Sequence, residues 1–303
     1  MIESLHRHEP HAKVVVYAFD DVTAKILREL AWSHVQVVTL AEFETEELLR
    51  VKPTRSKGEY CWTSTSVTIA HTLQKLGFDS CTYLDADLYF FSSPSVLFDE
   101  SPSASVLLTE HRYTPRYDQT ATSGRFCVQF MHFKKDEQGL TALLWWKDRC
   151  IEWCYDRAED GKFGDQKYLD DWLTRFAGVA DIKNEGAGVA PWNIQQYLVF
   201  EGEQGPWLKI ASGQKTPVVF YHFHGLKLLA EQKIDLCNYV ISAEARKYIY
   251  RPYIETLLRW QNELKKTFSL EVPASPCPSF LRKIRRARSG FPNILAIEKV
   301  LNA

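Results

Sequence analysis

Alternating and periodic apolar positions divide this chain into strands and helices before any chemistry is considered. Glu3 to His8 reads as the end of a helix closed by Pro10; Lys13 to Phe19 (KVVVYAF) reads as a strand, Asp20-Asp21 open a helix to Leu30, and Val35 to Leu40 is a second short strand. That is a βαβ rhythm. A long helical stretch covers Glu59 to Leu76, with Gly77 just past its end. In Cys81 to Pro94 (CTYLDADLYFFSSP), the β-prone run Thr82, Tyr83, Leu84 leads into two acids, a second apolar run and a Ser-Ser-Pro break, the pattern of a buried parallel strand ending in carboxylates. Ala104 to Thr109 and Arg125 to Phe133 (RFCVQFMHF) read as strands, and the helix that follows carries Leu140, Leu143, Leu144, Ile151 and Cys154 on one side. Val218 to Tyr221 is a further buried strand. From Ala243 to Lys266 a charged, aromatic-rich helix runs away from the core, and a Pro-rich break follows.

Composition narrows the class. A chain of 303 residues that is 45% hydrophobic and 13% aromatic can bury a full core, read here as one α/β domain with a C-terminal extension. A formal charge of −1 gives no bulk field for nucleic acid. Seven cysteines, none in a CxxC pair, suit a reducing cytosol; Cys150 and Cys154 read as a packing pair within one helix. The first residues lack an apolar signal core, and no apolar run approaches the ~18 residues of a membrane span.

Residues i and i+2 of an extended segment share a face, so Asp85 and Asp87 present two carboxylates side by side. Neighbouring anions at the edge of an apolar core repel each other and lose hydration, and a hard divalent cation relieves both costs. Magnesium or manganese fits an oxygen-rich site and keeps open positions for phosphate oxygens. The alternative is that the acids cap the next turn. Their position at a strand end, where open α/β sheets bind ligands, favours the cation.

YLDADLYFFSSP closely resembles the Asp-x-Asp segment of GT-A-fold, nucleotide-sugar-dependent glycosyltransferases in the neighbourhood of family 8. The resemblance implies a GT-A (Rossmann-like) mixed sheet flanked by helices over residues 1–240, and a helical C-terminal extension with a basic tail over 241–303. In that family a strand of nucleotide-contacting residues precedes a helix ending in something like ESLHRHEP, so either such a strand is missing before Met1 or this chain holds the base differently. PVVFYHFHGLK resembles the family's His-x-x-Gly followed by Lys: His222 would complete the metal site with Asp87, Asp85 would meet metal or ribose, and Lys227 would meet the diphosphate. His224 would stand behind His222. Arg55, in the basic loop before the long helix, corresponds to a residue that approaches the donor phosphates.

Asp165-Gln166 resembles an Asp-Gln pair that lies against the donor sugar, although Asp165 can equally cap a helix running to Arg175. Trp192 and Asn193, in the loop GAGVAPWNI, resemble a loop lining the sugar pocket. Where relatives carry Asn-x-Gly beside the sugar, this chain has Cys127 and Gln129. The resemblance implies a metal-dependent, retaining glycosyltransferase that uses a UDP-linked sugar, Mn²⁺ or Mg²⁺, and a glycan or lipid-linked acceptor. Two other readings are a sugar-1-phosphate nucleotidyltransferase, which would show a Gly-rich phosphate loop after its first strand, and a non-catalytic sugar-nucleotide or glycan-binding module, which Cys127 and Gln129 motivate. The basic tail (Arg282, Lys283, Arg285, Arg286, Arg288), interleaved with Phe280, Leu281, Ile284 and Phe291, could rest on the cytoplasmic face of an anionic membrane.

Overall fold

The computed structural model describes residues 1–278 and 293–302. The tail residues named above, Phe280 to Phe291, lie outside that range. After α1 (Ile2–His8), β1 (Val14–Ala18) and β2 (Val35–Thr39) pair in parallel across α2 (Asp21–Leu30). Asp20 caps α2 by accepting from the Thr23 N–H at 2.7 Å. Two short helices, α3 (Leu40–Phe43) and α4 (Glu46–Val51), lead to α5 (Lys57–Gln74), where Ser56 and Glu59 cap each other reciprocally.

The central sheet is mixed. Its strands β3 (Ser80–Leu84), β5 (Val106–Glu110), β6 (Phe126–Lys134) and β7 (Val179–Asp181) lie in the order β3-β6-β5-β7; β6 is antiparallel to both neighbours, and β5 is parallel to β7. β4 (Leu88–Phe90) lies outside it, and α6 (Thr120–Ser123), α7 (Glu137–Glu152) and α8 (Trp172–Arg175) complete this half. β3 is therefore a half-buried edge strand with an antiparallel partner, not the buried parallel strand its apolar run suggested.

A bulge in β6 sets what the sheet shows on each face. The register with β5 slips between Leu107 and Thr109, and Phe126, Val128, Met131 and Phe133 all reach the core that α5 and α7 cover. Two-residue alternation cannot do this, because positions 128 and 131 differ by an odd number. The slip changes the phase, leaving Cys127 and Gln129 to face the other way, and the Gln129 carbonyl accepts the Asp85 N–H at 3.0 Å.

The chain continues through the meander β8 (Leu198–Gly202), β9 (Gly205–Lys209) and β10 (Lys215–Pro217) to β11 (Phe220–His222), which pairs antiparallel with β4. β12 (Lys227–Leu229), β13 (Lys233–Asp235) and β14 (Ile294–Ala296) form a small sheet. Before β14 come α9 (Ala243–Ala245), a π turn and α10 (Arg251–Phe268); α11 (Ile297–Leu301) follows it.

Three further expectations are corrected. The helix from Ala243 does not run away from the core, since Ala245, Ile249, Tyr250, Tyr253 and Ile254 are buried in one cluster with Tyr89, Tyr221 and Phe223. Cys154 lies beyond α7, because Trp153 is already extended (φ −150°, ψ 122°), yet it is as buried as Cys150. No helix runs from Asp165 to Arg175. The Asp165 carbonyl accepts the Trp146 indole N–H at 2.8 Å, and the chain makes only a short 3₁₀ turn, Lys167–Leu169, before α8.

Candidate metal and donor site

Three backbone segments bring the acids and the imidazole together. Where β3 ends, the Leu88 N–H returns to the Asp85 carbonyl at 3.3 Å, a tight turn that exposes both carboxylates before β4 begins. β4 pairs with β11 so that Leu88 stands opposite His222, and the Phe223 N–H donates to the Asp87 carbonyl at 3.0 Å. His222 Nε2 consequently lies 3.1 Å from Asp87 Oδ1 and 3.7 Å from Asp85 Oδ2. One ligand atom from each of the three residues falls within 4.8 Å of the others.

The electrostatics of the corner follow from this geometry. Burial alone would lower the pKa of His222, but Asp87, then the Cys127 thiol and Asp85, outweigh it and hold the imidazole well above its ordinary value. Burial pushes Asp87 up and His222 pulls it down further, so it ends below the usual carboxylate range. Asp85 ends raised: burial and the Asp87 charge exceed the help from His222 and from the Tyr83 hydroxyl, which donates to Asp85 Oδ1 at 2.9 Å. Tyr83 is a participant that sequence reading passed over as a strand residue. Its signal was the i, i+2 spacing that puts it on the face of Asp85.

Asp165 is brought to this corner. Burial, then the Asp85 charge, pushes its carboxyl up to about 8, against hydrogen bonds from its own backbone and from Thr65 of α5. Gln166 is half-buried at the start of the 3₁₀ turn. Trp192 packs its ring 5.4 Å from that of His222 and 5.6 Å from that of His224, and its indole N–H donates to the His111 carbonyl at 2.9 Å. Asn193 serves the loop itself: its amide donates to the carbonyls of His111 and Gly188 and accepts the Ala190 N–H. Gly188 is at φ +65°, and a Cβ there would lie 2.5 Å from the Thr109 methyl and 3.1 Å from Gln129 Nε2. Lys227 is exposed and close enough to His224 to lower its pKa, after burial and the His222 charge.

Arg55 is not drawn into the corner. Its guanidinium stacks 3.8 Å from the centre of the Tyr155 ring and donates to the Ile151 carbonyl. Thr65, the α5 residue beside Asp165, is ten positions further on, about 15 Å by the helical rise. Cys127 lies beside the His222 ring. Gln129 is fully buried, and neither polar atom of its amide has a partner among the described residues.

Known proteins resemble the chain along most of its length. Two relatives from Bacillus subtilis (strain 168) are the uncharacterized protein YfnD, 37% identical over 88% of this chain and 86% of its own, and the uncharacterized protein YfnF, 31% identical over 85% and 86%. The solved glycosyltransferase GlyE of Streptococcus pneumoniae TIGR4 is similar at 16% identity and a TM-score of 0.34 over 60% of this chain and 40% of its own, too slight a likeness to argue from. The pattern that describes nucleotide-diphospho-sugar transferases matches residues 10–179, a stretch that holds Asp85, Asp87, Asp165 and Gln166 and stops short of His222. With more than half of its length so matched, the chain belongs to the nucleotide-diphospho-sugar transferase family.

Proposed function

We propose that this protein is a metal-dependent glycosyltransferase that takes a sugar from a UDP-linked donor and passes it, with retention, to a glycan or lipid-linked acceptor. The observation that carries the reading is the meeting of Asp85, Asp87 and His222 within 4.8 Å. Their chemistry fits a hard divalent ion. Two carboxylate oxygens and one imidazole nitrogen share a corner whose two acids raise the pKa of His222 and so favour positive charge there. Mn²⁺ or Mg²⁺ held there would offset the negative charge that the departing diphosphate gains.

The chain's own groups supply the rest. Tyr83 orients Asp85, which is left to meet the cation or the ribose. Lys227 is assigned to the diphosphate, and Arg55 joins it only by leaving its stack on Tyr155. Asp165 and Gln166 are assigned to the donor sugar, where a carboxylate or amide oxygen suits the oxocarbenium character of the transition state. Trp192 walls the site behind His222, and Asn193 holds that wall. The reading assigns the enzyme to the cytoplasm, in peripheral contact with the membrane face; no helix among the described residues is long and apolar enough to cross a membrane.

The test is release of UDP from a panel of UDP-sugars with Mn²⁺, with and without a chelator. Release that the chelator abolishes is expected, and no release from any UDP-sugar overturns the reading. Pyrophosphate turnover would instead mark a nucleotidyltransferase, and donor binding without turnover a binding module.

A further inference from the structure

We infer that a cavity walled by Arg112, Tyr113, Asp118 and Glu185 is the subsite for the acceptor, and that it takes an uncharged sugar ring. The inference rests on the reading above only in needing a second sugar. The cavity measures about 270 Å³, and Glu110 and Arg125 are also among its lining residues. Small-molecule pockets begin at about 300 Å³, so the space suits one ring rather than a run of them.

Its charges select against anions. Arg125 is committed to Glu110 and Asp181, and Arg112 to Glu185 and the Asn184 carbonyl. Both guanidiniums are thus neutralised, while Asp118 adds a third carboxylate that holds its own turn through Thr120. A phosphate or uronate entering here would meet acids without a spare cation. Carboxylates only accept hydrogen bonds, so the complementary ligand is rich in hydroxyl donors.

Two further features mark this wall. Arg112 is a non-glycine residue at φ +47°, fixed there by Gln196, whose amide donates to the Arg112 carbonyl at 2.7 Å. Its buried Nε–H also has no partner among the described residues. Backbone strain and an unpaired side-chain donor in one residue are kept where the surroundings enforce them, typically at binding sites. The cavity and the cation corner are backed by the same packed aromatic rings. Tyr113 packs 6.2 Å from Trp192, the indole that lies 5.4 Å from His222, and the Thr114 N–H donates to the Trp192 carbonyl at 3.0 Å.

The full chain, without donor or metal, is titrated by saturation-transfer NMR with methyl α-glucopyranoside, methyl β-galactopyranoside, N-acetylglucosamine and glucuronate. At least one neutral sugar should bind, with glucuronate weaker by about tenfold or more. Glu185→Gln and Asp118→Asn should each weaken the neutral sugar by about three- to tenfold. Asp118→Asn keeps the oxygen that accepts from Thr120, so it preserves the turn and folds even if Glu185→Gln does not. Three outcomes overturn the inference: no neutral sugar binds, binding is unchanged in both variants, or glucuronate binds equally well. Since no donor enters the experiment, its failure is separate from a failure to release UDP.

Discussion

Trp192 packs against two buried imidazoles that are driven in opposite directions. The rings of His222 and His111 lie 5.4 and 5.3 Å from the indole, and the two residues are 6% and 3% exposed. Burial pulls both down. At His222 two carboxylates reverse the sign, whereas His111 faces the Arg125 carbonyl and the stacked Tyr113 ring and falls to about 3. Desolvation therefore sets the outcome where no carboxylate answers it, as at His111, and is overturned where carboxylates stand beside the ring, as at His222. The acidic corner is built to hold positive charge, as a proton or a metal ion. The aromatic wall behind it keeps His111 neutral, and the charges on His222 and His224 act there in the same direction as burial.

The widest break in this comparison is to remove the indole. Trp192 is 5% exposed and fills space between both histidines, so Trp192→Ala should lower stability by about 3–5 kcal/mol, measured by denaturant unfolding. Next in size is Asp87→Asn, which keeps the side chain's shape but removes a cation ligand. UDP release in Mn²⁺ should fall at least about 100-fold, equivalent to about 2.7 kcal/mol, while the far-UV spectrum stays that of the parent. Retained turnover would show that the charge of the corner is not what the reaction uses.

The sequence was legible where local rules act alone. The βαβ opening, the cap of α2, and the two far-apart pieces that supply Asp85 and Asp87 on one side and His222 on the other could all be read from it. What stayed hidden depends on partners. β3 has an apolar run fit for burial on both sides, yet it sits at a sheet edge because, among the described residues, β6 is its one neighbour in that sheet. The phase change in β6 leaves no mark that single-strand alternation can reveal, so the direction of Cys127 and Gln129 was beyond reach. Asp165 reads as a helix cap until Trp146 claims its carbonyl. Arg55 reads as a phosphate ligand until Tyr155 supplies an aromatic face for it. Nothing in the pattern of Arg112 announces a left-handed residue or a cavity.

The finest test of the comparison is His111→Phe. The replacement keeps a flat ring stacked on Tyr113, now 4.6 Å away at 10°, but cannot take up a proton. With a folded-state pKa of about 3 against about 6.5 unfolded, His111 contributes stability that is complete above pH 6.5. As pH falls below that value the unfolded chain binds a proton that the folded chain refuses. Stability is then lost at up to about 1.4 kcal/mol per pH unit until the folded pKa is reached. His222 in the metal-free protein has the opposite sign, its contribution being present at low pH and lost as pH rises through its raised value. Urea midpoints of parent and variant at pH 7, 6, 5 and 4.5 separate the two. Losing the 3.3 Å contact between the imidazole and the Arg125 carbonyl gives the variant a constant deficit. The proton gives a slope, so the variant should gain on the parent steadily below pH 6.5, whereas parallel curves would mean that His111 is not held neutral in the folded chain.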